Sequence, residues 1–70
     1  MNITFSVIKD NEQAEYCGNI SITPHNSELV CKYHLTNQTQ SDKFLSGEFT
    51  DNFENLSQVI NKLEAIVNLN

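Results

Sequence analysis

From Asp51 to Leu69 the chain reads Asp-Asn-Phe-Glu-Asn-Leu-Ser-Gln-Val-Ile-Asn-Lys-Leu-Glu-Ala-Ile-Val-Asn-Leu, with apolar residues at three- and four-residue steps. At about 100° per residue, Phe53, Leu56, Val59, Ile60, Leu63, Ile66 and Val67 fall within an arc of roughly 140°. The opposite side is Asn, Ser, Gln, Glu and Lys, and neither Gly nor Pro interrupts the run. This is the pattern of a helix that must pack one stripe on another surface. Asp51 with Glu54 three residues later has capping-box spacing, which predicts the helix start at Asp51.

The partner surface is predicted by the residues before it. Asn2 to Lys9 alternates, with Ile3, Phe5 and Val7 on one side and Thr4, Ser6 and Ile8 on the other. Such period-two patterning with β-branched residues makes a half-buried strand. Asp10 to Glu15 is a polar loop. Tyr16 to Thr23 alternates again, Tyr16, Gly18, Ile20 and Ile22 against Cys17, Asn19, Ser21 and Thr23. Pro24 to Ser27 reads as a turn by composition. A third strand, Glu28 to Thr36, places Leu29, Cys31, Tyr33 and Leu35 together. After a second polar loop, Asn37 to Asp42, a fourth strand from Lys43 to Phe49 turns Leu45, Gly47 and Phe49 inward and Phe44, Ser46 and Glu48 outward.

Short polar connections favour antiparallel neighbours. The predicted fold is therefore α+β: a four-stranded antiparallel meander with one C-terminal helix across one face, in a single domain spanning residues 1–70. Centring the Pro24–Ser27 turn sets Ile22 opposite Leu29, Ile20 opposite Cys31 and Gly18 opposite Tyr33. Centring the Asn37–Asp42 loop sets Leu35 opposite Leu45, Tyr33 opposite Gly47 and Lys32 opposite Glu48. Apolar then meets apolar on one face and opposite charges meet on the other, with the Tyr33 ring lying between two glycines. The uncovered face is polar, with Ile8 and Val30 its exceptions, as in one-sided antiparallel sheets.

At 70 residues the chain buries only about 60% of its unfolded surface, so stability is narrow. Nine carboxylates against four lysines and no arginine give a net charge of -5. That argues against direct nucleic-acid binding, where Lys and Arg replace phosphate counterions, and permits the converse, an acidic surface that meets a partner with a basic one. The apolar runs are too short for a membrane span, and no signal-peptide pattern opens the chain; the expected location is cytoplasmic. Four Asn-X-Ser/Thr triplets, beginning at Asn2, Asn19, Asn37 and Asn55, reflect a chain rich in these residues.

No constellation with the geometry of catalysis emerges, and the expectation is a non-enzyme. In the centred register Cys17 lies across from His34 on the open face, a thiol beside an imidazole. No third group orients the imidazole, and a flat sheet offers no cleft. His25, His34 and Cys31 do not converge, which predicts no metal and no cofactor. Cys17 and Cys31 have opposite parity in their strands, so a disulfide between them is not expected. The carboxylates do group. In a meander the first and third loops share one end of the sheet, which brings Asp10, Glu12 and Glu15 near Asp42, offset by Lys9 and Lys43. Glu28, Asp51 and Glu54 gather at the other end. Loops and helix starts are also acidic for solubility and to complement the helix dipole; on the functional reading the first group is the candidate partner-binding set.

In its size, negative charge, Asn/Gln-rich composition and lack of a catalytic constellation, the chain resembles the small phage-encoded inhibitors of bacterial defence systems, anti-CRISPR proteins among them. That resemblance rests on no motif and assigns no residue. It implies binding to a defence protein at a surface that normally holds nucleic acid, in the host cytoplasm. The alternative expectation is a homodimer or accessory structural subunit joined through the open sheet face or an edge strand.

Overall fold

The computed structural model describes residues 1–69. It is α+β, with β1 (Asn2–Lys9), β2 (Ala14–His25), β3 (Glu28–Asn37), β4 (Phe44–Asp51) and α1 (Leu56–Leu69) in chain order. The strands form one antiparallel sheet in the order β1-β2-β3-β4. The helix lies over one face. Burial alternates along the strands as the period-two pattern requires: Phe5, Val7, Tyr16, Ile20, Ile22, Cys31 and Leu35 are buried and meet Val59, Leu63 and Val67 of the helix. Ile3, Leu29, Tyr33, Leu45, Phe49, Phe53 and Ile60 pack around them, half-buried. Of the rest of the apolar stripe, Ile66 is half-buried and Leu56 is exposed.

The β3–β4 register is the expected one, with Leu35 opposite Leu45, Tyr33 opposite Gly47 and Lys32 opposite Glu48. Lys32 and Glu48 nevertheless form no ion pair among the described residues. The β2–β3 register differs from expectation by two residues. Ile22 pairs with Cys31, Ile20 with Tyr33 and Gly18 with Leu35. The cause is a tighter turn. His25 pairs with Glu28, leaving a loop of Asn26 and Ser27, in which Asn26 takes a left-handed φ of 57°. Asn tolerates that region better than most side chains. Pro24 thereby enters β2, and at no cost to the ladder. Its nitrogen faces the β1 side, where Met1 already pairs with Ile22 and the neighbouring strand has ended. A slip of two preserves which face each residue occupies, so the core is unaffected.

Tyr33 lies over Gly47 alone: a Cβ there would sit 2.8 Å from its hydroxyl oxygen. Gly18 answers a different need. A Cβ at this position would collide with the main-chain carbonyl oxygen of His34, so glycine lets β2 and β3 approach.

The helix begins later than predicted. Asp51 ends β4, opposite Leu29, and Asn55 is the cap. Its Oδ1 accepts from the Gln58 N–H at 3.1 Å, and Gln58 Oε1 accepts from the Glu54 N–H at 2.7 Å. This is close to the capping box foreseen for Asp51 and Glu54, moved one turn on, except that the Gln58 side chain takes the N–H of the residue before the cap. Asp51 instead accepts from the Asn52 N–H at 2.7 Å and pairs with Lys62 at 3.0 Å. At the far end of the helix, Lys9 is buried on the helix face and donates to the Val67 carbonyl at 3.0 Å. Asn68 covers the last groups on the outer edge of β1: its Oδ1 accepts from the Asp10 N–H at 2.8 Å and its Nδ2 donates to the Ile8 carbonyl at 3.4 Å. The helix therefore runs from the β4 end of the strand layer to the opposite corner, at β1.

Candidate functional site

The β1–β2 and β3–β4 loops share an end of the sheet, as the meander requires. The first is a four-residue connection from Asp10 to Gln13, closed by Glu12 and Gln13 N–H groups donating to the Lys9 and Asp10 carbonyls. Gln13 adopts a φ of 51°, and its side chain also donates to the Asp10 carbonyl. The second loop is built on Asn37. Its buried Oδ1 accepts from the Thr39 N–H at 2.9 Å, the Thr39 hydroxyl at 3.0 Å and the Gln40 N–H at 3.0 Å. A bond from the Gln38 N–H to the Glu15 carbonyl ties the two loop bases together.

Asp10, Glu12, Glu15 and Asp42 are all exposed at this end. They do not form one tight cluster. Asp10 and Asp42 lie beyond opposite edge strands, so about 14 Å of sheet width separates their strands. Glu12 accepts from the Tyr16 hydroxyl at 2.7 Å, and Glu15, on the open face, accepts from the Ser6 hydroxyl at 2.7 Å. The side chains of Asp10 and Asp42 make no hydrogen bond or ion pair among the described residues. The helix C-terminus ends beside Asp10, but the Lys9 ammonium donates to its Val67 carbonyl and offsets the negative end of the helix. Lys9, expected to offset these carboxylates from solvent, is instead 2% exposed and directed under the helix, leaving Lys43 as the exposed cation nearby.

On the open face, Cys17 pairs with Thr36 and His34 with Asn19, so the expected Cys17–His34 juxtaposition is absent. The correction follows from the two-residue register shift. The Cys17 thiol donates instead to Ser6 Oγ at 3.3 Å. Both cysteines are free; Cys31 is fully buried, and burial raises its thiol pKa. His34 stacks on the exposed Phe44 ring at 5.2 Å, a contact created by the diagonal between β3 and β4 that simple alternation does not reveal. On the helix face, Lys62 lies 5.6 Å from the Phe49 ring and 5.7 Å from the Phe53 ring. Those rings meet edge-on at 6.0 Å. Lys62 is thereby held between aromatic faces and the Asp51 carboxylate, whose pKa is lowered first by that hydrogen bond to Lys62.

Among the described residues no group of His, Cys, Asp and Glu is placed to hold a metal ion. No helix is long and apolar enough to cross a membrane. No family model, characterised protein or solved structure matches the chain.

Proposed function

We propose that this protein is a small non-enzymatic binding module that sets its acidic sheet end against a basic, nucleic-acid-handling protein, acting as an inhibitor of the anti-defence type. The observation that supports this reading is the exposed set of Asp10, Glu12, Glu15 and Asp42, with the side chain of the nearby Lys9 turned away from them into the core. Such a surface steers toward Lys- and Arg-lined grooves and repels nucleic acid itself. It would compete for the contacts that phosphates make.

The test is capture from a nuclease-treated bacterial lysate at low and high salt. The parent should retain a basic protein, and high salt should release it. The Asp10→Lys/Asp42→Lys variant should lose that protein and keep its fold, since neither side chain has a partner among the described residues. A Glu28→Lys/Glu54→Lys control, altered at the opposite end, should retain it. Equal retention by the Asp10/Asp42 variant and the parent would sink the acidic-end reading.

A further inference from the structure

The two edges of the sheet differ at one end. Along β1, Asn68 satisfies the outward N–H of Asp10 and the outward carbonyl of Ile8, while the outward groups of Asn2, Thr4 and Ser6 lie beyond its reach. Along β4 the Asn37 N–H donates to the Lys43 carbonyl at 2.9 Å, which assigns the odd-numbered residues of β4 to the bonds with β3. In an antiparallel ladder the even-numbered N–H and C=O groups then point away from the sheet. Those of Phe44, Ser46, Glu48 and Thr50 face outward along an edge that no other strand pairs. This segment has no proline and no bulge, the usual means of blunting an edge.

We propose that β4 pairs with β4 of a second copy, antiparallel, about a two-fold axis at Gly47, to give one continuous sheet. The sequence of the strand selects both the occupant and the register. About Gly47, Lys43 falls opposite Asp51 and Leu45 opposite Phe49 on the helix face. On the open face Ser46 falls opposite Glu48, and Phe44 opposite Thr50. Each apolar or charged residue on the helix face thus meets its complement, twice over, by symmetry. An axis at Glu48 would oppose Glu48 to itself. An axis at Ser46 would set Lys43 against Phe49 and Phe44 against Glu48. A slip of one residue would put the two helices on opposite sides of the sheet.

Gly47 suits the axis. It occupies a non-hydrogen-bonded position of the new pair, where backbones approach to about 4.5 Å. The space a side chain would fill there is taken by the Tyr33 hydroxyl. Two such hydroxyls, one from each copy, meet over the axis. Half-buried Leu45 and Phe49 extend the apolar strip from one copy to the next. Strand addition of this length buries less than a standard interface, so the pair is a concentration-dependent one.

This inference stands apart from the acidic end and is tested separately, by sedimentation equilibrium from low to high micromolar protein. The parent should approach twice the 8.0 kDa of one chain. Lys43→Asp should weaken the pair by about tenfold or more; Asp51→Lys, which also removes the ion pair with Lys62 within one copy, should do the same, and the combined charge exchange should restore pairing. Ser46→Pro removes an outward N–H that no neighbour uses, and should give a monomer with the parent's circular dichroism. If Ser46→Pro instead unfolds, the charge exchange decides alone. A parent that stays monomeric throughout the range, or single charge variants that pair as well as the parent, would overturn the proposal.

Discussion

Lys9 Nζ donates to the main-chain carbonyl of Val67 across 58 residues of sequence, in an environment only 2% exposed. A cation beneath the last turn of a helix meets the negative end of its dipole and one of the carbonyls that has no partner within the helix. The fastening is as much a part of the core as Leu63.

Lys9→Met keeps the apolar stem and removes the charged donor. The Val67 carbonyl then loses its bond in a buried place, at a cost of about 1–3 kcal/mol. Urea denaturation should show the midpoint falling with an unchanged slope. A variant as stable as the parent would show that the contact contributes nothing.

Asn55→Ala removes the helix cap. The expected loss is about 1 kcal/mol, again read from the denaturation midpoint. Asp51→Ala should not reproduce this effect through capping, because Asp51 lies in β4 and its carboxylate serves Asn52 and Lys62.

The Asp51 carboxyl should titrate by NMR below its ordinary value of 3.8, chiefly because Lys62 donates to its ionised form. A depressed folded pKa contributes stability that is complete above the unfolded value and is lost as pH falls through the folded one. The relevant window therefore lies below about pH 4. Lys62→Met should return the midpoint toward the ordinary range, and salt should shrink the difference because the pair is solvent-exposed.

Gly18→Ala forces a methyl group into the His34 carbonyl, so strands β2 and β3 must shift apart. A loss of about 2 kcal/mol or more is expected in thermal unfolding. Gly47→Ala meets only the end of the Tyr33 ring, which can move, and should cost less.

Much of this architecture is legible in the sequence because strand faces depend on a purely local alternation. Ile3, Phe5 and Val7 announce their side of the sheet without reference to any partner, and the structure buries that side. The β3–β4 register is legible for a similar reason, since its loop is centred where the polar residues are. The β2–β3 register is not, because Pro24 and His25 look like turn residues while the turn itself rests on the left-handed Asn26. That two-residue difference separates Cys17 from His34. The helix start offers two cap-like pairs, Asp51 with Glu54 and Asn55 with Gln58, one turn apart. The choice between them is made by β4, which runs to Asp51 in pairing with Leu29. Lys9 is illegible for a deeper reason: a charge on the inner face has meaning only once the helix end arrives, and nothing near it in the chain foretells that.

The asymmetry between Asn68 at one border of the sheet and bare β4 at the other has a further consequence. A pleated ribbon naked on both sides could recruit neighbour after neighbour and grow into a filament. Here the carboxamide of Asn68 stands where a newcomer's backbone would have to dock, beside Ile8 and Asp10. A strand approaching the Lys9 end of β1 would have to displace that carboxamide, so one residue of the helix guards that corner of the sheet against lateral pairing.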